Sequence, residues 1–543
     1  MKTLTKQKAR TLMNSPRRQS TSERLTDKLL KEAEPTFVTW HASEPKLLFA
    51  NRMRCEDPKT GLSEFGPAAL DSTPRTSIRV AVIGTGETIQ LLKNWAETAR
   101  SFVYAGLNSK GQPFDPLVAP RFPGFDFESP FRCNLEFDDR LTVTLTDRDV
   151  LGITNRSEFS QRVKAAIDLI TAKLRVLADR EPVPDVAVIA MPKDLEDSIG
   201  PSARADQPRP RMRSKIEKKA EKRLAADRKS GQLHFDFGDE QNEVETELSL
   251  RYRDFHNSLK AHAMKAKLPT QLVWNSTLLG GRTKENPATT AWNFFTALYY
   301  KAGNMPWELE FGTNRTCFVG ITFYRESADP NSPTRTCLAQ AFSETGEGLV
   351  LRGERVEWDK DRDRKPHLTQ SVAESLLRQV LELYKEHFNG PPNRVVIHKT
   401  SRYWPEELAG LRAALGDVHS YDFLAIERRG IRFLRMGKEP PVRGSVIQLA
   451  RRNYLIYTQG YVPFLRQYPG PRIPNPLEIV EHHGDSSAER VCSEILALTK
   501  LNWNTCKFAS AEPITIAFSR QVATIIKEMP ADVEPSTKYR FYM

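Results

Sequence analysis

His256 and Lys260 stand four residues apart in "RDFHNSLKAHAMKAK", so a helix over this stretch presents both on one face. Gln271 follows just past Pro269, where an apolar run begins, and Lys301 closes "WNFFTALYYK" shortly before a glycine. An imidazole, two amines and an amide make a set of hydrogen-bond donors. Such a set suits a terminal phosphate, which takes bonds from several directions. Charged donors bind it most strongly, and a helix N-terminus can add its dipole. His and Lys at this spacing also occur on many solvated helices, so spacing alone does not assign the role.

The elements that must position these residues follow from pattern. "IRVAVIGTGETIQLLKNWAETARSF" (78–102) reads as strand, glycine turn and helix. "SEFSQRVKAAIDLITAKLRVL" (157–177) repeats apolar residues at Val163, Ile167, Ile170 and Leu174, which predicts an amphipathic helix. "DVAVIAMP" (185–192) is an apolar run of strand length, as in a buried parallel strand. Together these predict a Rossmann-like α/β layer. Residues 195–247, Pro-rich, then basic, then acidic, read as a surface insertion that is partly helical. From about 315 the pattern changes to three strands, "TCFVGITFYRE", "RTCLAQAFSE" and "GLVLRGERVEW". A long helix over 369–388 and a buried strand, "NRVVIHKTS", come next. Three antiparallel strands, a helix and a parallel strand is the order of an RNase H-like fold.

At 543 residues the chain exceeds what one core organises. Charged residues at 27% and hydrophobic ones at 39% fit a soluble globular protein, and no apolar run approaches a membrane span. Six scattered cysteines with no CxxC pair argue against a zinc or disulfide scaffold and for a reducing, cytoplasmic setting. The net charge of +12 is concentrated in residues 1–31 and 201–230, so charge alone does not establish a nucleic-acid partner. "VAVIGTGETI" echoes a dinucleotide-binding turn at Gly84 and Gly86. Position 89 is Ile rather than the third glycine, which argues against a nucleotide-dependent enzyme.

The set His256, Lys260, Gln271 and Lys301 resembles the guide 5′-phosphate pocket in the Mid domain of Argonaute proteins. The first of these positions is usually aromatic in that family. "SEPKLLFA…EDPKTGLSEFGP" is similar to the opening of short prokaryotic members. "YYKAGNMPW", "GSVIQLARRNYLIYTQGY", "PNPLEIV" and "ALTKLNWNT…EPITIAFSRQVATII" resemble successive parts of a Piwi domain. The similarity covers roughly 35–195 and 248–543, which implies a Mid plus Piwi protein without N and PAZ domains. The resulting division is a disordered basic tail (1–33), a segment packing on Mid and Piwi (34–150), a Rossmann-like Mid domain (151–310, with the insertion 195–247) and an RNase H-like Piwi domain (311–543). The resemblance also implies a tail folded into the pocket, with the Met543 carboxylate helping to hold Mg²⁺ at the guide phosphate. Tyr252 or Phe255 is then placed to stack on the first guide base.

Slicing members of the family hold two metal ions with carboxylates. Here Thr322 falls at the first such position and Thr400, or Lys399, at the second; the fourth falls near Phe518. Neither a hydroxyl nor an ammonium offsets metal charge. The expectation is therefore an intact fold without cleavage, Glu326 and Glu354 being the nearby acids that could contradict it. Arg428, Arg429, Arg432, Arg435 and Arg443 lie among aromatics and could follow the phosphates of a guide–target duplex. What the resemblance implies for partners is a 5′-phosphorylated guide, by family tendency RNA, and a complementary single-stranded DNA target. It further implies an APAZ-containing protein bearing a TIR, sirtuin-like or nuclease effector that acts against plasmids or phages.

Overall fold

A computed structural model describes residues 37–543, apart from 109, 208–251, 253, 281–284, 311–314, 326–333, 343–347, 357–365, 429–430, 434–435, 471 and 531. The 1–33 tail lies outside the described residues.

The larger sheet is built around strands with no polar face to offer water. Arg394–Lys399 is buried along its whole length and sits parallel between Thr316–Arg325 and Ser420–Arg428. Thr334–Phe342 and Gly348–Val356 extend one side as antiparallel neighbours. Leu477–Gly484, Asn453–Ile456, Ser445–Ala450 and Val38–His41 complete the other, giving nine strands. The helix Gln370–His387 connects the antiparallel trio to Arg394–Lys399, so the strand–helix–strand order expected of an RNase H-like unit is present. Alternate residues of Thr316–Arg325 face opposite layers. Val319 and Ile321 join the core with Leu376, Leu377 and Leu411. Phe318 joins the core with Ile516, Phe518 and Val522 of the helix Ile514–Lys527. That helix crosses very close to the sheet, because a Cβ at Gly320 would lie 2.0 Å from the Thr515 carbonyl oxygen.

A second sheet has four parallel strands in the order Asn134–Thr144, Ser77–Gly84, Val186–Met191, Thr270–Trp274. Its helices include Gly86–Thr98, started by a Thr85–Thr88 capping box, and the amphipathic Phe159–Ala178. This is the Rossmann-like layer, but it takes two strands from the segment 34–150. That segment is therefore not one packing unit. Val38–His41 belongs to the nine-stranded sheet, while Leu47–Leu48 and Arg54–Cys55 form a small sheet with Glu308–Leu309. The sequence offered the Ser77–Gly84 strand clearly; which sheet it enters is a long-range choice that local pattern does not encode. Similarly, Lys193–Ile199 and Pro201–Ala205 are helical, and Leu195 and Ile199 are core residues, so the stretch set apart as an insertion begins inside the packed layer.

Charge is internalised at two seams. Arg394, 2% exposed, donates to Asp422 at 2.9 Å and to Glu494 at 2.6 Å, while His482 and Ser486 also reach Asp422 at 2.8 and 2.7 Å. Burial alone raises a carboxyl's pKa, yet His482, Ser486 and Arg394 together hold Asp422 far below the ordinary carboxylate range. Arg443 and Lys500 both pair with Glu44, at 2.8 and 2.7 Å, fastening the early chain to the large sheet. Truncating Arg394→Met removes the cation shared by Asp422 and Glu494, leaving Asp422 to His482 and Ser486 and Glu494 to Arg490. A loss of ~3–5 kcal/mol is expected, read as a lower chemical-denaturation midpoint. Adding Asp422→Leu should recover part of it.

Candidate nucleic-acid interface

The helix Phe255–Ala263 begins where Asp254 accepts from the backbone N–H groups of His256 and Asn257. Its apolar side, Phe255 and Leu259, enters the core of the four-stranded sheet. Lys260, on another face, is drawn inward and is only 4% exposed. Gln271 comes from the edge strand Thr270–Trp274, and Lys301 from the last turn of Pro287–Lys301, a helix whose exit bends at Gly303 with φ +106°. Lys301 donates to Gln271 Oε1 at 2.5 Å and to the Thr270 carbonyl at 3.0 Å. Lys260 Nζ reaches the Tyr542 carbonyl at 3.4 Å, and Gln521 Nε2 reaches the same oxygen at 2.8 Å. Tyr542 and Met543 are themselves buried. His256 and Lys260, Gln271, Lys301 and the 542–543 segment thus meet from four separate elements. Gln521 was not among the residues singled out in the sequence, because nothing local marks a glutamine on an apolar helix.

The electrostatics of this cluster are unusual for a protein interior. Burial, then the field of Lys260, pushes the Lys301 ammonium well below the lysine range. Burial likewise pushes Lys260 down to about 7, with Asp254 opposing. His256 is exposed at the rim, and the charge of Lys260 is the first cause of its lowered pKa, ahead of burial and Lys301. The described hydrogen bonds of Lys301 go to neutral oxygens. Two buried ammonium groups without a paired carboxylate are costly. A dianionic group entering between them removes that cost, so the arrangement is chemically an anion site.

Of the two possibilities for the second nuclease position, Lys399 is committed elsewhere. Its register partner is Ile321, and its side chain runs to the helix face, where Glu407 accepts at 2.5 and 2.6 Å. Glu407 also accepts from the Leu368 and Trp404 backbones, at 2.7 and 2.9 Å. Thr322, buried, is on the opposite face by strand alternation. There, Gly320 abuts Thr515 and Ser519, and His398 Nδ1 lies 2.7 Å from Thr515 Oγ1. Thr400 follows the last residue of its strand. Phe518 packs on Tyr539, with ring centroids 4.2 Å apart, beside Tyr542. Thr515 and Ser519 of the same helix lie against Gly320 of the first strand. Glu354 falls on Gly348–Val356, and Glu326 lies outside the described residues. Among the described residues no group of three or more His, Cys, Asp or Glu is placed to hold a metal ion.

The arginine run separates into distinct cases. Arg428 is half exposed and pairs with Glu512 at 2.9 Å. Arg432 is exposed and donates to Asn475. Arg429 and Arg435 lie outside the described residues. Arg443 is not a groove residue, since its guanidinium is spent on Glu44, the Thr458 and Leu496 carbonyls and Thr499 Oγ1. Phe255 is equally committed, buried against Trp274, which leaves Tyr252, partly buried beside His262, of the two aromatic candidates.

The lysine cluster gives stability a defined pH dependence. Between about pH 7 and the ordinary lysine value of 10.5, the unfolded chain binds protons that the folded protein does not. Stability of the unliganded protein therefore rises with pH across that window, by up to about 1 kcal/mol per pH unit for each buried lysine. The thermal midpoint should climb from neutral pH towards pH ~9 and flatten in Lys260→Met with Lys301→Met. Inorganic phosphate should raise the midpoint most at the low end of this range.

No family model matches the chain. It is 24% identical over 293 residues to the argonaute protein of Aquifex aeolicus, a match over 53% of this chain and 38% of that protein. Among solved structures it superposes on Clostridium butyricum Argonaute bound to a guide DNA and a 19-mer target DNA with a TM-score of 0.58 and 14% identity. That match covers 93% of this chain and 55% of the other. A. aeolicus Argonaute gives a TM-score of 0.51 and 15% identity, over 92% and 55% of the two chains. The chain thus spans about half, or less, of the length of the proteins it matches. The mixed α/β fold of these Argonaute structures extends through nearly the whole chain, and sequence similarity to the A. aeolicus protein covers about half of it.

Proposed function

We propose that this protein is a short, non-slicing Argonaute that grips a guide strand by its 5′-phosphate and recognises a complementary strand without cutting it. The observation that carries the reading is the His256–Lys260–Gln271–Lys301 cluster, in which two buried lysines have described hydrogen bonds only to neutral oxygens. Its chemistry matches a terminal phosphate, and the Rossmann-like four-stranded layer beside it is what a Mid domain would supply. Its side chains are two ammoniums, an imidazole and an amide, none of them an anionic metal ligand. Mg²⁺ therefore fits only beside phosphate oxygens and the Met543 carboxylate, where it adds charge neutralisation. Thr322, together with Lys399 in its ion pair with Glu407, supports the absence of cleavage. Exposed Arg428 and Arg432 are the described arginines available to a duplex backbone, which they contact without reading sequence.

The guide in this reading is RNA and the target single-stranded DNA. A partner chain with an APAZ region carries the effector, TIR, sirtuin-like or nuclease, that target binding switches on in the cytoplasm against plasmids or phages.

Lys260→Ala with Lys301→Ala should weaken binding of a 5′-phosphorylated oligonucleotide at least tenfold, roughly the worth of one charged hydrogen bond. The 5′-hydroxyl form should lose much less, as read by fluorescence anisotropy. Equal losses for the two would place the pocket elsewhere. Guide-loaded protein with a labelled complementary strand and Mg²⁺ or Mn²⁺ should leave that strand intact. Cleavage within the paired region, lost on changing Glu326 or Glu354, would refute the non-slicing assignment.

A further inference from the structure

Glu512 gathers two arginines that come from different elements. Arg428 ends the strand Ser420–Arg428 of the large sheet, and its Nε lies 2.9 Å from Glu512 Oε1. Arg520 stands on the helix Ile514–Lys527, and its Nη1 donates to both Glu512 oxygens at 2.7 Å. The carboxylate is buried, whereas the arginine side chains are 53% and 50% exposed. One buried anion thus holds two half-exposed cations side by side. Each guanidinium carries several N–H donors in a planar fork, and the described contacts engage one nitrogen of each.

Two features set this trio apart from an ordinary surface ion pair. The first is that the carboxylate is fixed. The Ala511 carbonyl before it accepts from Thr458 Oγ1 at 2.6 Å, and Pro513 after it leads into the helix. The second is its place. Gln521, next to Arg520, turns inward and donates to the Tyr542 carbonyl at 2.8 Å, the oxygen that Lys260 also reaches. Successive side chains on a helix diverge by about 100°, so Arg520 leaves the same turn towards solvent. The arginine pair therefore lies one helical step from the lysine cluster, on the outside of the molecule. Forked guanidiniums match the oxygens of a phosphate, and they do so without reading a base.

We propose that Arg428 and Arg520 form a second phosphate subsite, held in place by Glu512, that takes one backbone phosphate of the guide close behind its 5′ end. The assignment rests on the phosphate-pocket reading above. Glu512 is the positioning residue of this subsite. A long arginine side chain gives up conformational freedom when it binds, and the carboxylate has already removed that freedom in the unliganded protein. This gain outweighs the repulsion between the incoming phosphate and a carboxylate already paired twice.

The test uses the full chain and two octanucleotides of one sequence, 5′-phosphorylated and 5′-hydroxyl, with affinities read by fluorescence anisotropy over a series of KCl concentrations. Arg428→Gln and Arg520→Gln should each weaken both oligonucleotides about fivefold and leave the ratio between them unchanged. Each should also flatten the dependence of log affinity on log salt by roughly one phosphate contact. The double variant should flatten it no further, since both side chains serve one phosphate. Glu512→Ala should weaken binding about threefold although the protein becomes more positive, whereas losing an ordinary surface carboxylate tightens binding to a polyanion. The isosteric Glu512→Gln serves in its place if the alanine variant folds poorly. A wild-type salt slope in the single variants, slopes that add in the double variant, or tighter binding on changing Glu512 overturns the subsite. If the wild type still prefers the 5′-phosphate in that case, the pocket stands. A wild-type protein indifferent to the 5′-phosphate removes the pocket reading and this inference with it.

Discussion

Two ammonium groups are drawn out of water near one another, and the oxygens they are seen to bond are neutral. That arrangement works against folding, and the surrounding architecture makes sense as the means of enforcing it. The helix bearing Lys260 is fastened to the core through Phe255 and Leu259, and the lysine is left only 4% exposed. Lys301 is tied at the end of a largely buried aromatic helix. Stability surrendered in such a place is a common mark of a binding site, where strain is compensated when the ligand arrives.

The same protein shows what paired buried charge looks like, and the contrast sharpens the point. Arg394 meets Asp422 and Glu494, Arg443 and Lys500 meet Glu44, and Lys399 meets Glu407. Each of these cations has a carboxylate at hydrogen-bonding distance. They join strands to helices and the early chain to the large sheet. An arginine in a run of arginines is not thereby exposed.

Much of the fold was legible locally. Apolar runs of strand length gave Val186–Met191 and Arg394–Lys399, and four-residue apolar spacing gave Phe159–Ala178. The grouping of the lysine cluster was legible too, since i, i+4 spacing put His256 and Lys260 together and a family pattern supplied Gln271 and Lys301. Pairing partners were not legible. Ser77–Gly84 reads identically whether it joins one sheet or the other, and only long-range packing places it at the centre of the four-stranded layer. The two-residue period of strands separates alternatives that the sequence left side by side. Lys399, opposite Ile321 in register, and Thr322 face opposite layers.

The outermost strand of the nine-stranded sheet has a consequence for how the chain reaches its final form. Val38–His41 pairs with Ser445–Ala450, Val38 lying opposite Gln448. During synthesis the first partner emerges some four hundred residues before the second, so this edge must wait, unpaired, while the rest of the molecule is made. The four-stranded layer, complete once Trp274 has been added, can assemble in the meantime. The sheet edge is therefore a late seam, closing the molecule after its two cores have formed, with Glu44 reaching Arg443 and Lys500 as the latch beside it.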